Sequence, residues 1–522
     1  MIGIHRRDWL RYLTASVSGT LVGGVWAQVA MTEYPFVLGI ASGTPTPTGI
    51  VLWTRLVPHN PFNSDWADKI LDVKWEVARD DKFTQLVRRG TTQAIPTLAH
   101  SVHVEVDGLE PDRFYFYRFM VNDAVSPIGR TRTFPLAEID VDRLRIAFAS
   151  CQRLETGGFG AYRRLMEEDV DLVLFLGDYI YDGGAWPSER FPKGLRAAGS
   201  LADYRFLYEL HKREPALSQC HAALPWLTIW DDHEVFNDYA GANLKGESSW
   251  GKTGQRNVAY QAYYEHMPMR LSSLIRGVQG LTKGGEELRI YQRAQFGKLI
   301  NFHMLDCRQY RDDQACSGVG GMINPDSCEI LKDTKRTMLG KEQEDWLNSN
   351  LAKQTPGEGQ VWNFLVQTTM FSPRRIPWNG DYKLWNDGWD GYPAARDRLV
   401  AALQQYKVSG PVFIGGDLHE NWACNVPGRD LDSNVRTIAS EFVGTGITQS
   451  SYYPKGVDFI KPANKHAVYA DAGRCGYGTV DISKARIEVR YRVVDNIAKS
   501  DPAISTAATF VVESGNPEIH PV

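Results

Sequence analysis

An apolar segment that ends abruptly in a glycine and an aspartate places the strongest constraint on the fold. Residues Asp171 to Asp182 read DLVLFLGDYIYD, in which Leu172 to Leu176 is short, continuous and partly β-branched or aromatic. Such a run is typical of a strand buried on both faces of a sheet. Since ligand sites in α/β sheets gather at the carboxyl ends of strands, Asp178 is a candidate metal ligand. A simple Gly-Asp turn is the alternative, and the segment taken alone favours the turn.

The segment before it predicts a second strand that ends at the same place. RLRIAFASCQ, residues 143–152, has the pattern of a buried strand that ends in Ser150-Cys151, and GFGAYRRLMEED then predicts an amphipathic helix. Strand, helix and strand in this order form a βαβ unit with parallel strands. We therefore expect Cys151 near Asp178, although a small buried hydrophobic residue is an equal alternative for Cys151.

Two later strands also run into polar residues. PWLTIWDDHEVFNDYAG, residues 225–241, places Asp231 to Glu234 directly after an apolar run. Four ionisable side chains there are costly unless a cation or hydrogen bonds compensate them. PVFIGGDLHENW, residues 411–422, predicts a strand followed by Asp417 and His419, which would face the same way in an extended segment.

Composition excludes some classes of function. The chain has 522 residues, of which 43% are hydrophobic, and this allows a large core and two or more domains. A net charge of -4 does not fit the basic surface of a nucleic-acid binder, so we expect no specific nucleic-acid binding. We also expect a monomer.

The first residues predict export. Arg6 and Arg7 precede Trp-Leu and a weakly apolar stretch broken by glycines, which is the layout of a twin-arginine signal cleaved after Ala27. Residues 1–27 are therefore predicted to be a signal peptide read by the twin-arginine export machinery, and the protein to be secreted or periplasmic. A membrane anchor is the alternative, but the stretch is short and only mildly hydrophobic, so we expect no stable membrane span.

Cysteine usage fits an exported protein. The seven cysteines are an odd number, which leaves at least one thiol outside any disulfide. Cys316 and Cys328 bracket the loop SGVGGMINPDS and are the predicted disulfide.

Residues 34–136 predict a separate all-β domain. Four short segments alternate between apolar and polar residues and are separated by Pro, Gly, Asn and Asp. They are GIVLWTRL, LDVKWEVAR, SVHVEVDGL and FYFYRFMVN. The stretch VDGLEPDRFYFYRF resembles the late strands of a fibronectin type III-like module. We assign no chemistry to this domain, and we predict a second domain, residues 143–510, that carries the strand ends.

The strand ends together offer oxygen, nitrogen and sulfur ligands. The candidates are Cys151, Asp178, Tyr181, Asp231 or Asp232, His233, Asn237, Asp417 and His419. Mixed ligands from several strands suit a site with more than one ion, and a carboxylate such as Asp178 can bridge two cations. Thiolate and phenolate favour a transition metal such as ferric iron, whereas carboxylate, amide and carbonyl oxygens suit calcium or magnesium.

Five motifs follow one another along the chain: ASCQ, LGDYIYDGG, WDDHEVFND, LDCRQYR and GGDLHENW. In this order they resemble the motifs of the PhoD-type alkaline phosphatases and phosphodiesterases, distant relatives of the metallophosphoesterases. The resemblance covers nearly the whole chain. It implies an α/β, or α+β, fold with a metallophosphoesterase-like β-sandwich core flanked by helices, after a small fibronectin type III-like domain. It also implies one iron ion and two calcium ions. The implied iron ligands are Cys151, Asp178 and Tyr181, and the implied calcium ligands include Asp178, Asn237, Asp417 and His419. Asp232 is added from its place in the motif.

The chain departs from the general metallophosphoesterase pattern at three positions. A leading Asp-x-His is absent, and Cys151 lies where that block would be. Gln367 stands where a metal-binding His is expected, and Asp238 follows Asn237 where the family pattern has a second Asn.

The predicted reaction is hydrolysis of phosphate monoesters or diesters by a metal-activated water, without a protein nucleophile. His233, Arg153 and Arg308 are candidates to orient the substrate or neutralise its charge, and for each the alternative is a structural hydrogen bond. Expected substrates are small phosphorylated compounds, phosphodiester polymers or phospholipids. Two other functions stay open: metal-dependent hydrolysis of another ester, and a calcium-stabilised exported binding protein.

Overall fold

A computed structural model of the chain describes residues 31, 33–58, 64–183, 197–241, 253–273, 288–354, 357, 359–428 and 436–522. The predicted signal peptide, residues 1–27, lies outside the described residues. None of the helices in the described ranges is long and apolar enough to cross a membrane.

Strands dominate the described residues, and helices are few. The strands are β1 (Ile40–Gly43), β2 (Gly49–Arg55), β3 (Leu71–Ala78), β4 (Leu86–Ala94), β5 (Ser101–Asp107), β6 (Phe114–Val121), β7 (Ala124–Val125), β8 (Gly129–Arg132), β9 (Arg143–Ala149), β10 (Leu172–Phe175), β11 (Pro225–Thr228), β12 (Gln292–Phe296), β13 (Ile300–Met304), β14 (Met322–Ile323), β15 (Trp362–Val366), β16 (Ile376–Trp378), β17 (Asp381–Trp385), β18 (Pro411–Gly415), β19 (Asn421–Pro427), β20 (Thr437–Val443), β21 (Ala467–Asp471), β22 (Gly476–Ser483), β23 (Arg486–Val494), β24 (Ile504–Glu513) and β25 (His520–Pro521). The α-helices are α1 (Gly160–Glu167), α2 (Leu201–Lys212), α3 (Pro215–Ala223), α4 (Thr253–His266), α5 (Gly340–Leu351), α6 (Pro393–Gln405) and α7 (Gly456–Ile460). Short 3-10 helices cover Pro96–Leu98, Pro325–Ser327, Glu329–Lys332, Trp389–Gly391 and Lys461–Ala463.

Two large sheets share one core. The ten-stranded sheet has the order β25-β24-β23-β22-β9-β10-β11-β1-β2-β5, and the seven-stranded sheet has the order β12-β13-β15-β18-β20-β19-β21. Phe148 and Leu174 of the first sheet belong to the same buried cluster as Phe364 and Val412 of the second. The large sheets therefore pack face to face, as the predicted β-sandwich core requires.

Helices cover the outer faces of both sheets. Successive residues of a strand point to opposite faces, so Leu365 and Phe413, next in sequence to residues of the shared core, pack instead with α5 and α6. On the ten-stranded sheet, Tyr162 of α1 stacks on Trp226 of β11, with ring centroids 6.0 Å apart. Strands buried on both faces explain the continuous apolar runs in the sequence.

The predicted βαβ unit is confirmed. Strands β9 and β10 are parallel, with Ala149 opposite Phe175, and α1 connects them. Strand β11 continues the parallel order on the other side of β10, with Phe175 opposite Thr228. All three strands consequently end at one edge of the sheet, and the polar residues that follow them share that edge.

The N-terminal region is all-β, as predicted, but it does not form a separate layer. Strands β3, β4, β6, β7 and β8 make a five-stranded sheet, whereas β1, β2 and β5 extend the ten-stranded sheet. The junction is the parallel pairing of β1 with β11, in which Ser42 lies opposite Pro225. The division into domains at 34–136 and 143–510 stays a prediction, and one sheet runs across it.

Side chains also tie the N-terminal strands to the helices. Trp53 Nε1 donates to the carbonyl oxygen of Glu265 in α4 at 3.0 Å, and Arg55 forms an ion pair of 2.7 Å with Glu209 in α2. Lys212, the last residue of α2, is buried, and its Nζ lies 4.4 Å from the centre of the Trp53 ring and 5.1 Å from that of Tyr179. The amine is enclosed between the N-terminal strands and the segment that carries Asp178.

The predicted disulfide is confirmed. Cys316 and Cys328 are joined, with Cα atoms 5.8 Å apart. The other five cysteines are free and buried, and Cys151 is among them.

Candidate metal centre

Left-handed backbone conformations mark the strand ends that carry predicted ligands. The φ angle is 57° at Cys151, 56° at Asp178, 66° at Asp417 and 56° at His419. For residues other than glycine this conformation costs about 1 kcal/mol or more, and such residues concentrate at functional sites. Asp417 and His419 therefore do not lie in an extended segment, and the expectation based on strand alternation was wrong. A turn after β18, with two left-handed residues, directs them instead.

A buried carboxylate that the sequence analysis left without a role fixes two of these turns. Glu234 accepts hydrogen bonds from the backbone N–H groups of Asp178 (3.1 Å), Tyr179 (2.6 Å) and Asp231 (2.8 Å). Gly177 has a φ of 102°, and a Cβ there would lie 2.5 Å from the backbone nitrogen of Asp231. Only glycine fits this close approach, so Gly-Asp positions the ligand as well as turning the chain.

The first ligand group contains sulfur. Ligand atoms of Cys151, Asp178 and His419 lie within 4.8 Å of one another, and all three residues are buried. The Tyr181 hydroxyl lies 3.3 Å from His419 Nε2, so a phenol adjoins the group. This donor set has the chemistry of a transition-metal site, because thiolate and imidazole are ligands that such ions prefer.

The second ligand group shares Asp178 with the first. Ligand atoms of Asp178, Asp232 and His233 also lie within 4.8 Å of one another. Within the described ranges, Oδ1 of Asp178 is buried and has no hydrogen-bond donor. A buried carboxylate oxygen without a donor is costly, and a cation shared by the two groups would compensate it.

Burial shifts the pKa values of the proposed ligands. Burial raises the pKa of Asp178 well above its ordinary value, that of Asp231 to about 7 and that of Asp417 to about 6. Burial, together with the nearby charge of His233, lowers the pKa of His419 to about 3. His419 is thus neutral at physiological pH, as a metal-binding imidazole must be. A bound cation would lower the raised pKa values of the carboxylates and keep these groups ionised.

Gln367, which stands where a metal-binding His was expected, has a supporting role. Its Oε1 accepts hydrogen bonds from Trp389 Nε1 at 3.1 Å and from the Thr369 N–H at 3.2 Å. Thr369 Oγ1 in turn donates to Oδ2 of Asp417 at 2.8 Å. Gln367 therefore orients Asp417 through Thr369, and such a hydrogen-bond chain would hold the Asp417 carboxylate in place for a cation.

Arg308 lies among the carboxylates of the candidate centre. It is 1% exposed; its Nη1 lies 2.6 Å from Asp387 and its Nη2 lies 3.6 Å from Asp232, while its Nε pairs with Asp231. A guanidinium occupied in this way has few donors left for a substrate. The structure favours the structural alternative for Arg308, which neutralises carboxylates around the centre.

His233 and Arg153 both lie against the Tyr181 ring. His233 Nδ1 lies 2.7 Å from Oδ1 of Asp182, and the ring centroids of His233 and Tyr181 are 4.4 Å apart. The Arg153 guanidinium lies 4.8 Å from the centre of the Tyr181 ring, and its Nη1 donates to the Tyr452 hydroxyl at 3.2 Å. Burial alone lowers the pKa of His233, but the surrounding carboxylates outweigh it and raise the pKa well above its usual value.

The predicted calcium ligand Asn237 is exposed and stays a prediction. The next residue, Asp238, is tied to the centre through its backbone, since its N–H donates to Oδ2 of Asp232 at 2.5 Å. Burial and the neighbouring Asp387 raise the pKa of Asp238 to about 7. The side chain that replaces the expected second Asn therefore adds another carboxylate to this region.

Comparison with known families decides the affiliation of the chain. The sequence profile described as PhoD-like phosphatase matches residues 146–491, more than half of the chain. The chain belongs to the PhoD-like phosphatase family. The profile for the N-terminal domain of PhoD-like phosphatases matches residues 23–135. The resemblance inferred from the motifs is confirmed.

Individual relatives agree with the PhoD-like affiliation. Alkaline phosphatase D of Bacillus subtilis (strain 168) is 39% identical over 494 residues, which cover 92% of this chain and 81% of the relative. A solved structure described as the structure of PhoD matches with a TM-score of 0.86 and 37% identity, and the match covers 95% of this chain and 93% of that one. This PhoD-like phosphatase is a phosphoric ester hydrolase, as predicted, and phosphate esters are its substrates.

Proposed function

We propose that the chain hydrolyses phosphate monoesters and diesters in a metal-dependent reaction at the strand-end centre. Asp178 carries the proposal, because it belongs to both ligand groups and its buried Oδ1 has no hydrogen-bond donor in the described ranges. A carboxylate in that position can bridge two cations, which is the arrangement of two-metal hydrolytic sites.

The donor chemistry supports iron on one side of Asp178 and calcium on the other. The residues that would hold iron are Cys151, Asp178 and Tyr181, with the His419 imidazole in the same group. Those that would hold two calcium ions include Asp178, Asp232, Asn237 and Asp417. Bound there, the ions supply charge stabilisation for phosphoryl oxygens and lower the pKa of a water molecule. The kinship of this core with the metallophosphoesterases is part of the same proposal.

The chain's own residues would bind the substrate and move a proton. Asp182 occupies Nδ1 of His233, so Nε2 is the atom that would donate a proton to the leaving oxygen, and in that role His233 is not a metal ligand. Arg153 offers a guanidinium to the phosphoryl oxygens, where charge-assisted hydrogen bonds are strong. Arg308 would not contact the substrate, because its ion pairs hold Asp231 and Asp387 in place.

We also propose that the protein is exported through the twin-arginine route. The twin-arginine signal predicted at Arg6 and Arg7 is the main support. The disulfide between Cys316 and Cys328 adds to it, because disulfides persist in oxidising compartments.

Metal analysis beside a substrate panel tests the proposal. We expect the purified protein to contain iron and calcium, and to release p-nitrophenol from p-nitrophenyl phosphate and from its bis-ester until a chelator removes the metals. Cys151→Ser should lose iron, whereas Cys220→Ser, at a free buried cysteine in α3, should keep it.

The alternatives predict different results. Hydrolysis of carboxylic esters without phosphate ester turnover would favour the other hydrolase. For the calcium-stabilised binding protein, Asp178→Asn should unfold the chain and the metal-loaded wild type should turn over neither substrate. Full iron content and activity in Cys151→Ser would show that the thiolate assignment is wrong.

A further inference from the structure

An exposed tyrosine lies at the rim of the metal centre, on the loop that follows β20. Tyr452 is 55% exposed. Its hydroxyl accepts a hydrogen bond from Arg153 Nη1 at 3.2 Å, and its ring centroid lies 5.8 Å from that of His419 at an interplanar angle of 60°. One partly solvent-facing ring thus contacts both the arginine proposed to bind phosphate and a proposed metal ligand.

Hydrogen bonds anchor the loop that carries Tyr452. The backbone N–H of Ile447 donates to the Ser150 carbonyl oxygen at 2.9 Å, and Thr448 Oγ1 donates to that of Arg153 at 2.7 Å. Ser451 Oγ donates to Oε1 of Glu420 at 3.3 Å, next to His419 in sequence. Because both sides of the centre anchor the loop, an ordered aromatic surface is available to a ligand at little cost in conformational entropy.

The contacts inside the centre indicate which part of a substrate reaches the ring. Arg153 and His233 both contact Tyr181, and only His233 is assigned to the leaving oxygen. Because Arg153 also donates to the Tyr452 hydroxyl, a phosphoryl group that contacts Arg153 would have its remaining substituent within reach of the Tyr452 ring. A planar, half-exposed ring binds a flat or apolar organic group through stacking and burial of its face.

We propose that Tyr452 is a specificity-determining residue, whose ring packs against a ring-shaped organic substituent that stays on phosphorus when a phosphodiester is hydrolysed. This inference rests on the diester half of the proposed function. The hydrogen bond between the Tyr452 hydroxyl and Arg153 is separate from this role, since stacking needs only the Tyr452 ring.

Two diesters with one leaving group test the assignment. The substrates are phenyl p-nitrophenyl phosphate and methyl p-nitrophenyl phosphate, hydrolysed by the metal-loaded full chain. Relative to Tyr452→Phe, which lacks only the hydroxyl, we expect Tyr452→Ala to raise KM for the phenyl diester about tenfold, the effect of losing one aromatic contact, with little further change in KM for the methyl diester. Tyr452→Phe loses the hydrogen bond to Arg153 but should keep the wild-type ratio of the two KM values.

Tyr453→Ala is the matched control, because Tyr453 is the next residue and is 79% exposed. It should keep the wild-type KM ratio. Equal KM increases for both diesters in Tyr452→Ala, or the same change in Tyr453→Ala, would overturn the inference and leave the proposed function intact. A wild-type protein that turns over p-nitrophenyl phosphate but neither diester would overturn the diester half of the proposed function, and the role of Tyr452 with it.

Discussion

Among single residues, Glu234 has the greatest influence on the shape of the metal centre, although it need not touch a metal. Its carboxylate oxygens accept hydrogen bonds from three backbone N–H groups, in the turns that present Asp178 and Asp231. The left-handed conformation of Asp178 is costly by itself, and these hydrogen bonds offset that cost. Glu234 is therefore a positioning residue for two carboxylates at once.

Replacing Glu234 with Gln tests this role. Gln keeps the size of the side chain, but its NH₂ group turns a donor toward backbone N–H groups that need an acceptor. We expect metal affinity to fall about 10- to 100-fold, the typical effect of losing a partner behind a metal ligand, and Tm to fall as well. Metal titration followed by calorimetry measures both. Glu342→Gln, at an exposed position in α5, is the control, and unchanged metal affinity in Glu234→Gln would contradict the role.

The sequence indicated the proposed ligands more readily than the residues that hold them in position. Cys151, Asp178 and His419 follow apolar strands, and their position after a strand end was sufficient to propose them. Glu234 and Asp182 were quoted within motifs without a role, because a hydrogen bond to a backbone N–H or an imidazole has no spacing rule in sequence. Arg308 shows the opposite limit, since its residue type fits phosphate binding and buried ion pairing equally.

At the scale of secondary-structure elements, helix α2 ends in a buried amine. Burial lowers the pKa of Lys212 to about 7, whereas an exposed lysine titrates near 10.4. The folded state thus binds fewer protons than the unfolded state between these pH values, so stability rises with pH across that window and is lowest below about pH 7. The gain is at most about 5 kcal/mol. The rings of Trp53 and Tyr179 attract the ammonium form and oppose the shift.

Lys212→Met should remove this pH dependence. We expect the variant to have a higher Tm than wild type at pH 7, and the difference to shrink as the pH approaches 10. Thermal unfolding of the metal-loaded protein at several pH values measures it. Lys341→Met, at an exposed position in α5, should follow the wild-type curve. A Lys212→Met curve with the wild-type slope would show that the amine does not titrate in this range.

Element types were predictable from the sequence, but the turns between them were not. Continuous apolar runs fix the central strands, because these strands are buried on both faces. The left-handed residues at Asp417 and His419 have no such pattern, since any short polar residue after a strand is compatible with several turns. Alternation therefore gave the wrong geometry for Asp417 and His419, and their role as metal ligands stays a prediction.

At the scale of the whole molecule, the N-terminal strands are part of the architecture that carries the centre. Strand β1 pairs with β11, and β11 leads directly to Asp231 and Asp232. The sequence predicted an all-β region but not this pairing, because alternating hydrophobicity defines the faces of a strand and not its neighbour. The same limit applies to β22, since the sequence did not predict its pairing with β9.

Removing residues 31–136 should therefore damage the centre. The deletion exposes the edge of β11 and uncovers the amine of Lys212, and an unpaired strand edge promotes aggregation. We expect the remaining chain to be largely insoluble, or to lose metal and phosphatase activity when soluble. Sedimentation, metal content and p-nitrophenyl phosphate turnover measure these outcomes. A soluble, metal-loaded and fully active fragment would show that residues 143–510 are an independent domain.

The pairing of β9 with β22 links the metal centre to the order in which the chain is made. Phe148, just before Cys151, lies opposite Gly478, and most of the chain separates these two positions. Contacts between residues so far apart in sequence form slowly, and during synthesis the later partner does not exist until the ribosome has nearly finished. The strand that presents the cysteine thus stays unpaired on one side until late in translation, and an ion bound by the completed centre would bind at the final stage of folding.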